Sequence, residues 1–224
     1  MKREEHKAAV QGKIISVARK LFLAQGYHKT KMRQIKDAAD LKMGTIYHFY
    51  KNKEDIFAHI VLEAFFRVID RTSKLAAGDN HLQLACEMAW HVHTMAQHSP
   101  SAELYLMSYN SPDIAAQMLI TQTERSVALF GENLPKLSTE EHQLYTMAVR
   151  GLMQTIALQA VSGTLEDPHF VIDKSVAIAL RIMQTEEAEI ENILQRLHQF
   201  DIEQQVTSAL AKQTIYRPTP ISTP

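Results

Sequence analysis

Apolar residues in this chain recur every three or four positions and show no competing two-residue alternation, which limits the fold to packed helices. Residues 7 to 25 set Val10, Ile14, Val17, Ala18, Leu21 and Phe22 on one stripe, and Gly26 supplies a C-terminal stop. Thr30 has the character of an N-cap for a short helix carrying Met32, Ile35, Ala38 and Ala39. Asp40–Lys42 then makes a tight connection to a second short helix. Asn52 is the next expected cap, with Glu54 and Asp55 placed to suit the helix dipole, and its helix runs through Ile56, Ile60, Ala64 and Val68 towards Leu75. After the turn signal GDN at 78–80, longer helices richer in Met and Ala are expected over 81–98, 100–108, 112–131, 138–162 and 168–199. Their breaks fall at Ser99–Pro100, Ser111–Pro112, 131–137 and 163–168. The expected class is all-α, with no internal repeat. The final YRPTPISTP holds three prolines and is expected to be loose, at the end of a C-terminal tail over 201–224.

A hydrophobic fraction of 46% over 224 residues suffices for a substantial core. Cys86 stands alone, which excludes an internal disulfide framework and suits a reducing compartment. MKREEHKAAVQGK lacks the apolar segment of a secretory signal, and the longest apolar runs fall far short of a membrane span. A soluble, cytoplasmic protein with no membrane partner is expected. The net charge of −1 hides an asymmetry. Residues 1–53 carry 13 Lys/Arg against 4 Asp/Glu, and the remainder carries 11 against 21. A basic first quarter on an acidic remainder points to a polyanionic partner for one segment and a separate task for the other.

The basic quarter ends in LKMGTIYHFYKNKED, residues 41–55. Packing alone requires neither its glycine nor its KNK cluster. Two short helices in a basic three-helix unit suggest a helix-turn-helix, whose second helix enters the DNA major groove. Gly44 then lets the helix start approach the duplex, while Thr45 and His48 lie away from Ile46 and Tyr50. Tyr47 offers its hydroxyl to a phosphate oxygen, and Lys53, with the amides of the Asn52-capped helix, forms a second phosphate anchor. Outside such a motif Tyr47 reads as a half-buried amphipathic tyrosine, and Lys31, Lys51 and Lys53 as solvated cations. For His48, a base-edge contact and a solvent-facing ring stand side by side.

The joint spacing resembles the DNA-binding domain of the TetR family of bacterial transcriptional regulators. Its elements here are A-x-x-L-F-x-x-x-G-Y, T-x-x-x-I-x-x-A-A, G-T-I-Y-x-F-Y and K-N-K-E, within residues 10–60. The resemblance implies that Thr30 and Lys31 cap and flank the motif's first helix, and that Arg33 reaches a base edge or phosphate from it. It places Met43, Gly44, Thr45 and His48 toward the groove, with Tyr47 and Lys53 on the backbone. Three positions depart from the family pattern. Asp40 replaces the usual turn glycine and must take a left-handed conformation. Lys42 stands where a Ser or Thr often caps the recognition helix; it cannot accept from an amide but gains reach to a phosphate. Phe49 and Tyr50 invert the usual aromatic pair, so Phe49 is expected to pack without a hydrogen bond.

In the acidic remainder, aromatic and Met side chains with few polar groups suggest a pocket for a small, mostly apolar ligand. The candidates are Trp90, His93, Tyr105, Tyr109, Met118, Gln122 and Gln154, although such stripes are more often plain core. His91 and His98 share a helix face, His93 points elsewhere, and E-x-x-H at 166–169 contains Pro168. With no H-E-x-x-H and no cysteine pair, neither metal nor cofactor is expected. Leu144, Ala148, Gly151, Leu152, Thr155, Ile156 and Gln159 make a face open to close approach, with Ala177, Leu180, Arg181 and Gln184 opposite. The resemblance implies that these helices form a homodimer interface; an intramolecular hairpin is the alternative.

The division expected is 1–53 for DNA, 54–200 for effector binding and dimerisation, and 201–224 for the tail. The expected function is that of a homodimeric repressor on an inverted-repeat duplex, released by an unknown small-molecule effector. The rivals are a helical interaction module and a metal-dependent all-α enzyme, the latter lacking any nucleophile–base pair or phosphate loop.

Overall fold

The structure, a computed structural model, describes residues 2–132 and 134–214. Among them stand eleven α-helices and no strand: α1 (Lys2–Gln25), α2 (Met32–Ala39), α3 (Met43–Phe49), α4 (Lys53–Ala76), α5 (Asn80–Gln97), α6 (Ser99–Asn110), α7 (Pro112–Phe130), α8 (Thr139–Ser162), α9 (Pro168–Ile182), α10 (Glu187–Leu197) and α11 (Ile202–Thr214). The all-α class therefore holds. No described helix is long and apolar enough to cross a membrane.

Two apolar cores organise the chain. The first gathers Ile14, Ala18 and Phe22 of α1, Ile35 of α2, Ile46 of α3 and Ile56, Phe57 and Ile60 of α4. Phe65 of α4 and Ile114 and Met118 of α7 extend it beyond the basic quarter. The second surrounds α5, whose Leu82, Ala85, Cys86, Ala89, Val92 and Met95 are all buried by flanking helices. Helix α4 belongs to both cores and crosses the expected 53/54 division without a break.

Local chemistry accounts for most helix ends. Gly26, at φ 82°, takes the left-handed conformation that stops α1. Asp40 occupies the left-handed region at φ 49°, as its place in the turn requires. Asn52 Oδ1 accepts the Asp55 amide at 2.8 Å, as expected of a cap for α4. Thr30 is a correction: α2 begins one residue later, with Lys31 as its cap, and the Lys31 amide donates to Gln34 Oε1 at 2.7 Å.

The C-terminal third departs furthest from expectation. The expected helix over 168–199 is two helices, α9 and α10, separated where Gln184 turns left-handed at φ 57°. No Gly or Pro marks that turn. A two-pronged ion pair spans it, Arg181 Nε and Nη2 meeting Glu187 carboxylate oxygens at 2.5 and 2.7 Å. Part of the expected tail is helix α11, whose Ile202 and Val206 are buried in the second core. The proline-rich YRPTPISTP stretch lies outside the described residues.

Candidate nucleic-acid interface and cavity

Helix α3 has two distinct faces. Ile46 is fully buried, Tyr50 at its end is 5% exposed, and Phe49 packs on the first core. Gly44, Tyr47 and His48 are exposed on the other side, Tyr47 to 52%. Those positions are three and four apart and share a helix face. Met43 and Thr45 are half-buried at its margin. A Cβ added to Gly44 would meet nothing within 4 Å, so the fold itself does not ask for glycine there. Lys42 precedes the helix as its cap with no side-chain bond to an amide, leaving the helix start open to a partner acceptor.

The cations around this face divide into two kinds. Lys31, Arg33 and Lys42 are exposed. The Arg33 side chain is 86% exposed, with Nε 3.9 Å from Asp37 Oδ2, a contact too long to hold it. Lys53 is committed to the fold. Its Nζ donates to the Tyr27 and Thr30 carbonyl oxygens at 2.8 Å each and lies 4.1 Å from the Tyr27 ring centroid. Burial depresses its pKa. Thr30 is wholly buried, its hydroxyl donating to the Gly26 carbonyl at 2.8 Å and accepting from Gln25 Nε2 at 3.0 Å. Thr30 and Lys53 thus build the head, and neither presents its polar group to an outside partner as the sequence suggested.

Five of the seven residues expected in a pocket, Trp90, Tyr105, Tyr109, Met118 and Gln122, line a cavity of about 260 Å3. The other two do not. His93 is buried elsewhere, its ring 5.2 Å from that of His169, and His169 Nε2 lies 3.2 Å from Glu203 Oε2. Gln154 instead donates to Asn110 Oδ1 at 3.3 Å. His91, outside those seven, also lines the cavity. It hydrogen-bonds the Tyr105 hydroxyl, and burial pushes its pKa down to about 4, which keeps the ring neutral. The larger omission is polar. Arg19, Arg67, Arg71, Arg125 and Arg150 all reach the wall, and Glu87 pairs with Arg125 there. The available signal lay on α4, where Arg67 and Arg71 continue the stripe of Phe57, Ile60 and Ala64.

Neither cysteine nor histidine builds a reactive or metal-binding centre among the described residues. Cys86 is buried, its pKa pushed up to about 12 by desolvation, and no group of three His, Cys, Asp or Glu is placed to hold a metal. His98 caps α6, its Nδ1 2.8 Å from the Ser101 hydroxyl.

Residues 14–60 match the family model described as bacterial regulatory proteins, tetR family. Those residues carry that family's N-terminal domain. Among curated tetR-type relatives, the HTH-type transcriptional repressor Rv1474c of Mycobacterium tuberculosis is 32% identical over 60 residues, 27% of this chain and 32% of that protein. The match thus spans about a third of that repressor's length. The HTH-type transcriptional regulator UidR of Escherichia coli K12 is 22% identical over 138 residues, covering 57% of this chain and 70% of UidR. The tetR-like fold extends through the helical body. The solved structure of RolR in complex with resorcinol superposes with a TM-score of 0.63 at 15% identity, covering 85% of this chain and 95% of RolR. The curated relatives are transcriptional regulators, not enzymes.

The expected dimer face is only partly on the surface. Leu144, Ala148, Thr155 and Gln159 of α8 are exposed, and Leu152 packs partly on the second core. Ala177 and Leu180, in contrast, are buried within the chain, at 6% and 0% exposure. Helix α9 presents Phe170 and Ile178 instead, and α8 adds Met147 and Leu158. Arg181 is held by Glu187, and Gln184 Nε2 donates to the Tyr145 hydroxyl at 3.2 Å.

Proposed function

We propose that this tetR-family regulator is a homodimeric repressor that reads an inverted-repeat duplex through α3 and releases it when a small molecule fills the cavity. Residues 1–53 act as the reading head and 54–200 as the effector and dimer body. The carrying observation is the outer face of α3: Gly44, Tyr47 and His48 are exposed on a helix whose packing rests on Ile46, Phe49 and Tyr50. Exposed Lys31, Arg33 and Lys42 supply phosphate contacts, which make affinity fall steeply with salt. The Tyr47 hydroxyl bonds a phosphate oxygen, and Thr45 and His48 meet base edges.

Dimerisation is supported by the exposed apolar side chains Leu144, Met147 and Leu158 of α8 and Phe170 and Ile178 of α9, which are 44–60% exposed. Large apolar side chains gathered on two neighbouring helices favour a protein partner, and a second copy gives the symmetry an inverted repeat needs.

Effector control is supported by what the cavity shares with the head. Phe57 and Ile60 line the cavity and also belong to the first core. Phe57 packs 4.9 Å from the Tyr27 ring and 5.8 Å from Phe22, and Lys53, one turn earlier, grips the α1–α2 loop. The Ser111 hydroxyl bonds the Glu54 carboxylate, so the start of α7 is tied to the start of α4. A ligand that moves α4 therefore moves the head. Weakening operator binding a hundredfold requires the ligand to prefer the released form by about 2.8 kcal/mol.

In vitro selection from random duplexes tests the reading. Enrichment of an inverted repeat, bound by two copies, is expected. Purified protein that prefers no duplex at moderate salt would overturn it.

A further inference from the structure

The ligand class of the cavity follows from its charge. The chain after residue 53 has 11 Lys and Arg against 21 Asp and Glu, yet Arg67, Arg71, Arg125 and Arg150 all line this cavity. A cation-poor region has placed more than a third of its positive charge around one hollow, and α1 adds Arg19. Two carboxylates answer these five guanidinium groups. Glu87 is bound by Arg125, while Glu63 is shared by Arg67 and by Arg19, whose Nη2 lies 2.6 Å from Glu63 Oε2.

Among the described residues, Arg71 and Arg150 have no carboxylate within ion-pair distance. Each is instead carried on an aromatic ring. The guanidinium carbon of Arg71 lies 5.0 Å from the Trp90 ring centroid, and that of Arg150 lies 5.0 Å from Tyr109. Arg150 also donates from Nη1 to Gln122 Oε1 at 2.6 Å, which fixes its plane. A ring on one side and an amide at one nitrogen leave the remaining N–H groups of the fork for a planar, two-oxygen acceptor. Burial depresses the pKa of Arg150 and opposes its charge, a cost that an incoming anion would offset.

The rest of the wall is apolar. Tyr105 lies one helical turn before Tyr109, Met118 one turn before Gln122, and Met153 three residues after Arg150, so each sits on the same stripe as a polar anchor. Phe65 and Phe130 add ring surface. At about 260 Å3 the cavity is close to the small end of ligand pockets, about 300–1,000 Å3.

We propose that the effector is a small monocarboxylate with a compact apolar body, its carboxylate held by the fork of Arg150 and its body lodged between Tyr105, Met118 and Met153. The inference rests on the reading of this cavity as the effector site. Arg71 on Trp90 contributes a second cation at the wall and couples occupancy to the fluorescence of the only tryptophan.

The test compares acids with their uncharged primary amides, 2-naphthoate with 2-naphthamide and octanoate with octanamide, by Trp90 fluorescence on the full-length protein. A neutral solvatochromic dye, Nile red, reports the cavity independently of charge. At least one acid should bind about tenfold or more tightly than its amide, as a charge-assisted pair requires. Arg150→Met should erase that preference while retaining Nile red, and Arg150→Lys, which keeps the charge and loses the fork, should retain part of it. Thermal melting of each variant separates lost recognition from lost folding. Acids and amides that bind alike, or an acid preference that survives in Arg150→Met, would overturn the carboxylate assignment while leaving an effector cavity in place. If the wild-type protein takes up neither dye nor any acid or amide, the effector reading itself fails.

Discussion

On α3 the residues assigned to recognition project outward from a helix that packs without them, whereas in the body Trp90, Tyr105 and Arg150 turn inward round a hollow. The outer face is made by seven consecutive residues, so exchanging Tyr47 or His48 changes what is touched and leaves the fold alone. The cavity is made by α1, α4, α5, α6, α7, α8 and more, and its walls are also the core. On the proposed function, recognition of DNA can therefore change one side chain at a time, while recognition of a small molecule is coupled to stability. Helix α4 is where the two regimes meet.

Phe57 gives the sharpest way to break that contrast, because it serves both sides. It is 1% exposed, packs on Phe22 and Tyr27, and lines the cavity. Phe57→Ala should cost about 3–5 kcal/mol in denaturant unfolding. It should also weaken duplex binding and alter the Trp90 response together. A variant that loses less than about 1 kcal/mol, or changes only one of the two readouts, would show the regions to be independent.

The body should also be the acid-sensitive side. An unfolded histidine takes up its proton below about pH 6.5, whereas His91 in the fold holds off until about 4. The unfolded state therefore binds more protons across that window, and stability falls as pH drops from about 6.5 to about 4, with no further loss from this group below it. The loss is at most about 3 kcal/mol, because the surface His91 keeps exposed faces the cavity and is screened by any water there. Urea melts at stepped pH should show the slope in the wild type and its reduction in His91→Gln. Equal slopes in the two proteins would mean that the ring is not insulated.

How much of this was legible from the sequence follows the same contrast. The head was readable because its determinants are local. Asn52 caps within three residues, Asp40 takes its left-handed turn, and Ile46 and Tyr47 separate inner from outer faces by periodicity alone. Its errors concerned side-chain destination. Lys53 reaches carbonyls 23 and 26 residues away, and Thr30 turns its hydroxyl back onto α1; neither partner is visible in a spacing. In the body, the mix of aromatic, Met and few polar side chains located five cavity residues, but the arginines come from four helices and converge only in three dimensions. The α9–α10 break was invisible because Gln184 turns it without glycine or proline, and α11 was hidden behind a proline-rich end.

Lys53 and Arg33 test the proposed division between cations that build the head and cations that serve a DNA partner. Lys53→Met removes two hydrogen bonds from a charged group and should cost about 2 kcal/mol of stability. Duplex binding should weaken while the slope of log affinity against log salt stays unchanged, since Nζ is held by the Tyr27 and Thr30 carbonyls. Arg33→Ala should leave stability within about 0.5 kcal/mol and lower that slope by about one. A flattened slope in Lys53→Met would return Lys53 to the phosphate anchor.

The smallest change is the most discriminating. Gly44 lies in the first turn of α3 at a non-positive φ, and a Cβ there meets no protein atom within 4 Å. Alanine is the better helix former by up to about 1 kcal/mol, so Gly44→Ala should hold or slightly raise the melting temperature. If the duplex approaches this turn, the added methyl group falls at the contact and affinity drops even as stability rises. Opposite movement of the two readouts is a signature that loss of folding cannot produce. Unchanged affinity would mean that the helix start stands clear of the DNA, and the reading face would then have to be rebuilt around Tyr47 and His48 at the other end of α3.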